Sequence, residues 1–297
     1  MVHKLKRWYN ADGRGYLFLL PFAVLFTLFI IVPIGVSIVT SFTFYDMIGK
    51  FSFIGITNYK NLFVADNVFF IAIKNTFLFA LVAGPAGFIL SFLFAWLINT
   101  VRFRNIYSLA FYIPSISSGV AMTVVWGYFF SSDRYGLINN FLINTGIINT
   151  PVLWNQDPNT ILPVITLISI WMGMGTGFLV FLAGLKNIPM ELYEAGYIDG
   201  VKNQFQELVY ITVPSMKPQL LFGIINSIVA SFAVFDVAVT FAGMPSKNYA
   251  GHTIVTHLYD YAFIRFEMGY ASAVAVVLFL ITFLLGQFAL RMFREKD

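Results

Sequence analysis

Four carboxylates occupy one short charged stretch of an otherwise apolar chain. We call this stretch, residues 186–217, the charged loop; its carboxylates are Glu191, Glu194, Asp199 and Glu207. Such groups can act as catalytic acids and bases, or they can form a polar surface that a partner recognises. No nucleophile motif and no cluster of His with carboxylates accompanies them, which argues against catalysis. The charged loop is therefore predicted to contact a partner outside the lipid.

A fifth carboxylate, Asp236, lies within an apolar run that is long enough to cross a membrane. An ionisable residue there is expensive to bury and marks a functional site by default. Asn226, Ser231 and Phe235 lie in the same run and offer hydrogen bonds and a ring face to a solute. These four residues are the predicted substrate pathway. Two other interpretations stay open: Asp236 at the outer interface or in a structural pair, and Asn and Ser as helix–helix contacts.

Other candidate sites are weaker. His252 and His257 are five residues apart and no third ligand is evident, so we predict no metal site. Gly173, Gly175 and Gly177 follow no strand and precede no GKS or GKT, so they indicate close helix packing rather than nucleotide binding. The chain has no cysteine, which excludes disulfides and thiolate catalysis.

The composition predicts an integral membrane protein. Of the 297 residues, 59% are hydrophobic and 11% are charged, and the mean hydropathy is +0.79. A helix needs about 20 apolar residues to cross the hydrocarbon core. Runs of this length lie between Arg14 and Asp46, Lys74 and Arg102, Arg104 and Asp133, Asp157 and Lys186, Lys217 and about Gly243 (with Asp236 inside), and Glu267 and Arg291. We expect an all-α protein with six transmembrane helices.

The positions of Lys and Arg predict the orientation. The first run contains Pro33 and is longer than a signal sequence, so it is predicted to be an uncleaved helix. With both termini inside, the cytoplasmic side carries Lys4, Lys6, Arg7, Arg14, Arg102, Arg104, Lys186, Lys202, Lys217, Arg291, Arg294 and Lys296, and the outer side carries Lys50, Lys60, Lys74, Arg134, Lys247 and Arg265. Because basic residues favour the cytoplasmic side, the charged loop is predicted to be cytoplasmic.

The charged loop has the local pattern of a helix, a break and a second short helix. Asn187 is a candidate cap, Pro189 suits a first turn, and Glu191 favours the positive N-terminus of a helix. Gly200 is a candidate C-terminal stop. Small residues recur on one face of this first helix, which would let another surface approach closely.

At these residues the chain resembles the inner-membrane permease subunits of binding-protein-dependent ABC importers, the sugar permeases in particular. Their loop reads Glu-Ala-Ala, three residues, Gly, a spacer and Ile-x-Leu-Pro; here it reads Glu194-Ala195-Gly196, then Asp199-Gly200, and later Ile211-Thr212-Val213-Pro214. Gly196 replaces Ala, Val213 replaces Leu, and ten residues rather than nine separate Gly200 from Ile211. The segments Ser41 to Asp46, Lys74 to Thr76, Tyr112 to Pro114 and Ser231 to Asp236 also look like sugar permeases.

The resemblance implies a function and a set of partners. It implies the type I permease fold of ABC importers in the bacterial cell membrane, with a transmembrane domain over residues 71–291 that follows residues 1–70 and precedes a cytoplasmic tail, residues 292–297. Glu194, Ala195, Gly196, Asp199 and Gly200 would dock on an ATPase dimer that holds ATP and Mg, while this chain binds no cofactor. A second permease and an extracytoplasmic solute-binding protein would complete the importer. Its cargo would be a carbohydrate, an oligosaccharide above all.

Other functions remain as alternatives. An importer of glycerol phosphate or another polar solute is the nearest. A secondary transporter is disfavoured because there is no obvious inverted repeat and only one carboxylate lies within a span. A membrane enzyme would need a polar catalytic cluster at a membrane face.

Overall fold

The structure is a computed structural model, and it describes residues 14–49 and 51–293. Part of the charge count above falls outside the described residues: Lys4, Lys6, Arg7, Lys50, Arg294 and Lys296. The predicted cytoplasmic tail also lies outside them from residue 294 onward. The described chain divides into two units, one of residues up to 65 and 258–277, the other of residues 66–257 and 278 onward.

The first unit begins with a long apolar helix and a short hairpin. Its elements are α1 (Arg14–Phe26), a π-helical turn (Thr27–Ile31), α2 (Val32–Thr40), β1 (Thr43–Phe44), β2 (Ser52–Phe53), α3 (Thr57–Lys60) and a second π-helical turn (Asn61–Ala65). The strands are antiparallel, with Thr43 opposite Phe53. Buried Asn58 donates to the carbonyls of Ser41 at 2.8 Å and Thr43 at 2.9 Å, which holds the hairpin to α3.

The second unit contains most of the remaining helices. They are α4 (Asn67–Asn99), α5 (Arg104–Ile116), α6 (Gly119–Phe129), α7 (Leu137–Asn144), α8 (Pro158–Lys186), α9 (Met190–Ile198), α10 (Gln204–Glu207), a π-helical segment (Leu208–Thr212), α11 (Val213–Ser215), α12 (Lys217–Phe232), α13 (Asp236–Ala242), a 3-10 turn (Lys247–Tyr249), α14 (Ile254–Tyr259) and α15 (Met268–Phe293). Parts of α14 and α15, with a π-helical turn at Asp260–Ile264, belong to the first unit.

The predicted all-α membrane fold is confirmed, with one span broken. Among the described residues, five segments are long and apolar enough to cross a membrane: Phe18–Thr40, Asn67–Asn99, Pro158–Lys186, Lys217–Ala242 and Met268–Met292. The predicted third run instead forms α5 and α6, which meet at 99°. The extended backbone of Ser117 ends α5, and the Ser118 side chain caps α6 by accepting the Ala121 N–H at 3.5 Å. The pair completes six spans if it counts as one.

Two apolar clusters form the core of the second unit. One contains Phe79, Phe130, Ile161, Ile165, Ile168, Val237 and Phe241, and the other contains Phe92, Ala95, Phe178, Phe181, Leu185, Leu208 and Met216. Both clusters draw on α4 and α8, but at different heights along these two helices. The stretches of α4 and α8 between the clusters carry smaller and more polar residues, and these line a cavity.

Candidate transport and coupling sites

The first helix of the charged loop ends in a defined backbone motif. Asp199 is the C-cap of α9, and Gly200 follows with a φ of +97°. The Gly200 N–H donates to the Tyr197 carbonyl at 3.3 Å and the Val201 N–H to the Gly196 carbonyl at 2.9 Å, which is the Schellman arrangement. The prediction that the helix stops at Gly200 is confirmed, and the positive φ explains why glycine occupies this position.

The predicted start of this helix is wrong. The N-cap of α9 is Pro189, whose backbone is extended, whereas Asn187 is the C-cap of α8. A proline disfavours helical geometry in the residue before it, so the chain breaks at Ile188. Asn187 therefore closes the preceding span rather than opening α9.

The second half of the charged loop packs back on α9. Asn203 caps α10 by accepting the Gln206 N–H at 2.9 Å. The Tyr193 hydroxyl lies 3.1 Å from the Thr212 hydroxyl, and the Tyr197 hydroxyl donates to Glu207. That hydrogen bond to the Glu207 carboxylate raises the pKa of Tyr197 above its usual range. The two halves of the loop thus form one bracket.

A π-helical segment, Leu208–Thr212, lies where the spacer to Ile211 is one residue longer than the usual nine. A π-helical turn closes its hydrogen bonds from i to i+5 and so holds one more residue than an α-helical turn. The extra residue is accommodated within the helix.

The five predicted coupling residues differ in exposure. Glu194, Ala195, Asp199 and Gly200 are exposed, whereas Gly196 is buried. A Cβ atom at Gly196 would lie 2.5 Å from Cδ1 of Ile211, so glycine here lets α9 pack closely on the π-helical segment. At Gly196, the small residue therefore permits close packing within the charged loop rather than against another surface.

Several large apolar side chains of the charged loop are exposed. Ile198 is 87% exposed, and Met190, Phe205 and Tyr210 are each at least 68% exposed. Apolar residues that cluster on a polar segment usually mark an interaction surface. The exposed part of α9 and this apolar group lie on the same bracket.

The four predicted pathway residues lie around one cavity of about 320 Å³ between α4, α8, α12 and α13. The helical path of the fifth apolar segment breaks between Phe232 and Asp236, so Phe235 and Asp236 lie at the break and line the cavity. Asn226 also lines the cavity, nearly two helical turns before the break. Asp236 is the one ionisable residue among the described lining residues.

Some polar side chains of the cavity wall form hydrogen bonds within the protein, and others do not. Ser231 donates to the Ser227 carbonyl at 2.7 Å, and Ser227 donates to the Gly84 carbonyl on α4 at 2.8 Å. Within the described chain, the side chains of Asn226 and Asp236 have no hydrogen-bond partner. Ser227 thus joins α12 to α4, whereas the hydrogen bond of Ser231 lies within α12.

The glycines of α8 permit close packing at Gly175 and also at Gly177, where a Cβ atom would lie 3.1 Å from the Ser91 hydroxyl oxygen. A Cβ atom at Gly175 would lie 2.5 Å from the Ser115 hydroxyl oxygen, so glycine permits close contact with α5. Gly173 and Gly177 line the cavity.

The described residues include no group of three or more His, Cys, Asp or Glu that could hold a metal ion.

Sequence reasoning missed one polar residue that organises a whole segment. Asn139 on α7 is fully buried, and its amide donates to the carbonyls of Ser131, Asp133 and Val152 at 3.0 to 3.1 Å. Its carbonyl accepts the Val152 N–H and the Trp154 Nε1–H, both at 3.0 Å. No local pattern in the sequence distinguishes Asn139 from its neighbours.

Over residues 83–295 the sequence matches a family described as the inner membrane component of binding-protein-dependent transport systems. The chain belongs to this family. The permease is 36% identical over 271 residues to "Probable ABC transporter permease protein YesP" of Bacillus subtilis (strain 168), a match that covers 90% of this chain and 86% of the relative. It is 30% identical over 287 residues to "Arabinooligosaccharides transport system permease protein AraP" of the same organism, covering 96% of this chain and 90% of the relative.

A solved structure has the same fold as this permease. It is a chain of a bacterial ABC transporter involved in the import of the acidic polysaccharide alginate, with a TM-score of 0.81, 24% identity and coverage of 98% of both chains. The predicted resemblance to binding-protein-dependent permeases and the predicted permease fold are thereby confirmed.

Proposed function

We propose that this permease forms half of the pathway of an ATP-driven importer for oligosaccharides. The observation that carries the proposal is the continuity between the charged loop and the cavity. α8 ends at Lys186 and α12 begins at Lys217, the two ends of the charged loop, and both helices line the cavity. α12 has 16 residues and is thus about 24 Å long at 1.5 Å per residue. A displacement of the loop is carried along both helices to the cavity wall.

In this proposal α9 is the coupling element. Glu194, Ala195, Asp199 and Gly200 contact a groove of the partner ATPase, and Gly196 keeps α9 fixed to the π-helical segment so that the bracket moves as one body. ATP and Mg bind to the ATPase dimer and not to this chain. Closure of the ATPases moves the bracket, and the helices around the cavity switch between two packed arrangements.

The cavity wall supplies the chemistry for a carbohydrate. The carboxylate of Asp236 and the amide of Asn226 can bind sugar hydroxyls, while Phe235 offers a ring face to the apolar side of a sugar. The name of the relative AraP specifies arabinooligosaccharides, and the transporter of like fold imports alginate, also a chain of sugars. Both support an oligosaccharide as the cargo.

The remaining assignments follow from the charge distribution and the family. Both termini and the charged loop lie in the cytoplasm, and residues 131–157 and 243–257 face the outside, where a solute-binding protein delivers the cargo. A second permease subunit completes the pathway, and residues 71–291 act as its transmembrane domain.

The proposal is tested in proteoliposomes that hold the complete transporter, with ATP inside and a labelled arabinooligosaccharide and the binding protein outside. We expect uptake by the wild type, and loss of uptake and of stimulated ATPase activity in Glu194→Lys and Gly200→Arg. Glu191→Lys, an equally exposed charge reversal one turn earlier, is the control and should retain both activities. Unchanged activity in the two α9 variants would exclude α9 as the coupling element. Uptake of glycerol phosphate but of no saccharide would exclude the carbohydrate assignment.

A further inference from the structure

An open groove of about 900 Å³ lies between the end of α4 and the second half of the charged loop. Trp96 of α4 forms one wall, and α10 with the π-helical segment forms the other. The lining residues are Trp96, Asn203, Gln204, Phe205, Gln206, Val209 and Tyr210. Leu208 is buried in the same apolar cluster as Ala95 of α4, which holds the two walls together. We call this feature the amide groove; all of it belongs to the second unit.

The amide groove offers more hydrogen-bond donors than acceptors. The side-chain oxygen of Asn203 accepts the Gln206 N–H at 2.9 Å, and that of Gln206 accepts the Lys202 N–H at 2.8 Å. Within the described chain, the NH₂ groups of these two amides have no partner, and the Gln204 side chain and Trp96 Nε1–H form no hydrogen bond. Amide NH₂ and indole N–H groups are donors. The groove therefore suits a ligand group that accepts several hydrogen bonds.

The charges around the amide groove favour an anion. The described lining residues include no carboxylate. The carboxylate that follows them in the chain, Glu207, accepts the Tyr197 hydroxyl instead. Lys202, directly before Asn203, is exposed. A phosphate group combines negative charge with several acceptor oxygens, so it matches both the donors and the cation.

The aromatic rings of the groove place it at the level of lipid headgroups. Trp96 lies three residues before Asn99, the last residue of α4, which is about 4.5 Å along the helix axis. Phe205 and Tyr210 are exposed on the opposite wall. Trp and Tyr at the ends of membrane-spanning helices are typical of the boundary between lipid and water. A phosphate bound in the groove would therefore be that of a lipid.

An apolar stripe on α4 leads from the groove towards the middle of the span. It consists of Ile89, Leu93 and Leu97, which follow one another at four-residue steps and so share a helix face. All three side chains are exposed. The stripe is about 12 Å long at 1.5 Å per residue. It offers an apolar surface to an acyl chain whose headgroup lies in the groove.

We infer that the amide groove binds an anionic phospholipid, phosphatidylglycerol, with its phosphate on the amide donors and one acyl chain along the stripe of α4. The hydroxyl groups of its glycerol can bond the Gln204 amide, which both donates and accepts. A headgroup that carries an ammonium would instead bring a second cation near Lys202. Such a lipid contacts α4 and the charged loop at once. The site goes beyond the proposed function, and only its assignment to the inner leaflet rests on the proposed orientation.

The experiment uses the complete transporter in nanodiscs of phosphatidylcholine with a trace of phosphatidylglycerol that carries a diazirine near the ester of one acyl chain. Illumination cross-links this lipid to the residues beside it, and mass spectrometry of peptides locates them. We expect labelling of residues 203–210 and of Trp96 and Leu97. Replacing part of the phosphatidylcholine by unlabelled phosphatidylglycerol should remove the labelling, whereas the same amount of phosphatidylethanolamine should not.

Two substitutions in the groove should weaken the labelling to different degrees. Gln204→Glu keeps the size of the side chain but replaces a donor by a carboxylate, so labelling of residues 203–210 should fall about fivefold, the effect of one charge near a membrane surface. Trp96→Phe keeps a ring and removes one N–H, so labelling should fall about twofold. Gln156→Glu makes the same charge change at an exposed glutamine outside the groove and is the matched control. It should leave the labelling unchanged.

The possible results decide between a specific site and other uses of the groove. Equal labelling in the wild type and Gln204→Glu, or equal competition by phosphatidylethanolamine, would overturn the inference and show general contact with lipid. Absence of lipid labelling at residues 203–210 in the complete transporter would also overturn it, because a protein partner would then cover the groove. Labelling needs neither ATP nor a saccharide, so failure of the importer assignment would leave a positive result for the lipid site intact.

Discussion

The charged loop and residues 131–157 are of similar length and both connect membrane-spanning helices, but they are held together in different ways. Each half of the charged loop is organised by motifs between near neighbours, such as the Schellman end at Gly200 and the cap at Asn203, and the two halves are joined by the hydroxyl groups of Tyr193 and Tyr197. Residues 131–157 are organised by one buried side chain, Asn139, which bonds groups up to fifteen residues away. The first arrangement leaves its motif residues exposed, and the second hides its organiser.

This difference suggests different uses. A bracket held by local motifs and by hydroxyl contacts between its halves can move as a rigid body while Glu194 and Asp199 stay exposed. A segment that hangs on one buried amide is a fixed platform whose shape depends on that amide. We expect substitutions in the charged loop to change coupling more than structure, and substitutions at Asn139 to do the reverse.

The largest effect is expected from Asn139→Leu. It leaves three carbonyls and two N–H groups of residues 131–157 without their partner, and should destabilise this segment by about 3 kcal/mol or more. The measurement is hydrogen exchange of residues 131–157. Asn140→Leu, at the exposed position next to it, is the matched control. Equal protection of residues 131–157 from hydrogen exchange in both variants would show that Asn139 does not organise this segment.

A smaller effect is expected from alanine at two glycines with positive φ, one in each region. Gly200 has a φ of +97° and Gly146 a φ of +74°, and alanine should cost about 1–2 kcal/mol of local stability at each. Only Gly200→Ala should also lower saccharide-stimulated ATPase activity, because Gly146 does not lie in or next to α9, the proposed coupling element. Equal losses of ATPase activity in both variants would break the comparison between the two regions.

The charged loop should respond to alkaline pH. The pKa of Tyr197 is raised because its hydroxyl donates to the Glu207 carboxylate, which favours the protonated phenol in the folded loop. The contribution of this bond to loop stability is therefore present below the ordinary value of 10.0 and is lost as pH rises through the raised pKa. An NMR titration of labelled tyrosine should show the Tyr197 midpoint move down in Glu207→Gln. An unchanged midpoint would contradict the bond.

Residues 131–157 should respond to acid instead, and weakly. The pKa of Asp133 is lowered by a hydrogen bond from Ser131 and by the N–H groups of Tyr135 and Gly136. A lowered pKa contributes stability above the ordinary value of 3.8 and loses it as pH falls through the lowered pKa. Hydrogen exchange of residues 133–136 should therefore rise only below about pH 4. A rise between pH 5 and 7 would point to another group.

What the sequence predicted follows the same division between local and distant contacts. The end of α9 at Gly200 was predictable because a left-handed backbone after a helix strongly favours glycine. Asp236 was predicted to be a pathway residue because a carboxylate is unusual within an apolar run. The Asn187 cap was assigned wrongly, since the effect of Pro189 on Ile188 outweighs the preference of Asn for a cap.

The rest depends on residues that the sequence keeps apart. Asn139 and Val152, or Asp66 and His257, meet only when the helices pack, and no periodicity marks them. The run between Arg104 and Asp133 has the composition of one apolar span, so the sequence does not reveal the 99° bend between α5 and α6. The π-helical segment at Leu208–Thr212 was signalled only by the longer spacer before Ile211.

The most direct test of the account is which partner each region touches. The chain contains no cysteine, so a single cysteine at Ala195 on α9 or at Phe141 on α7 can carry a cross-linker without a competing site. In the assembled transporter, Ala195→Cys should cross-link to the ATPase subunit and Phe141→Cys should not. A cross-link to the ATPase from Phe141→Cys, with none from Ala195→Cys, would contradict both the coupling role of α9 and the orientation of the permease.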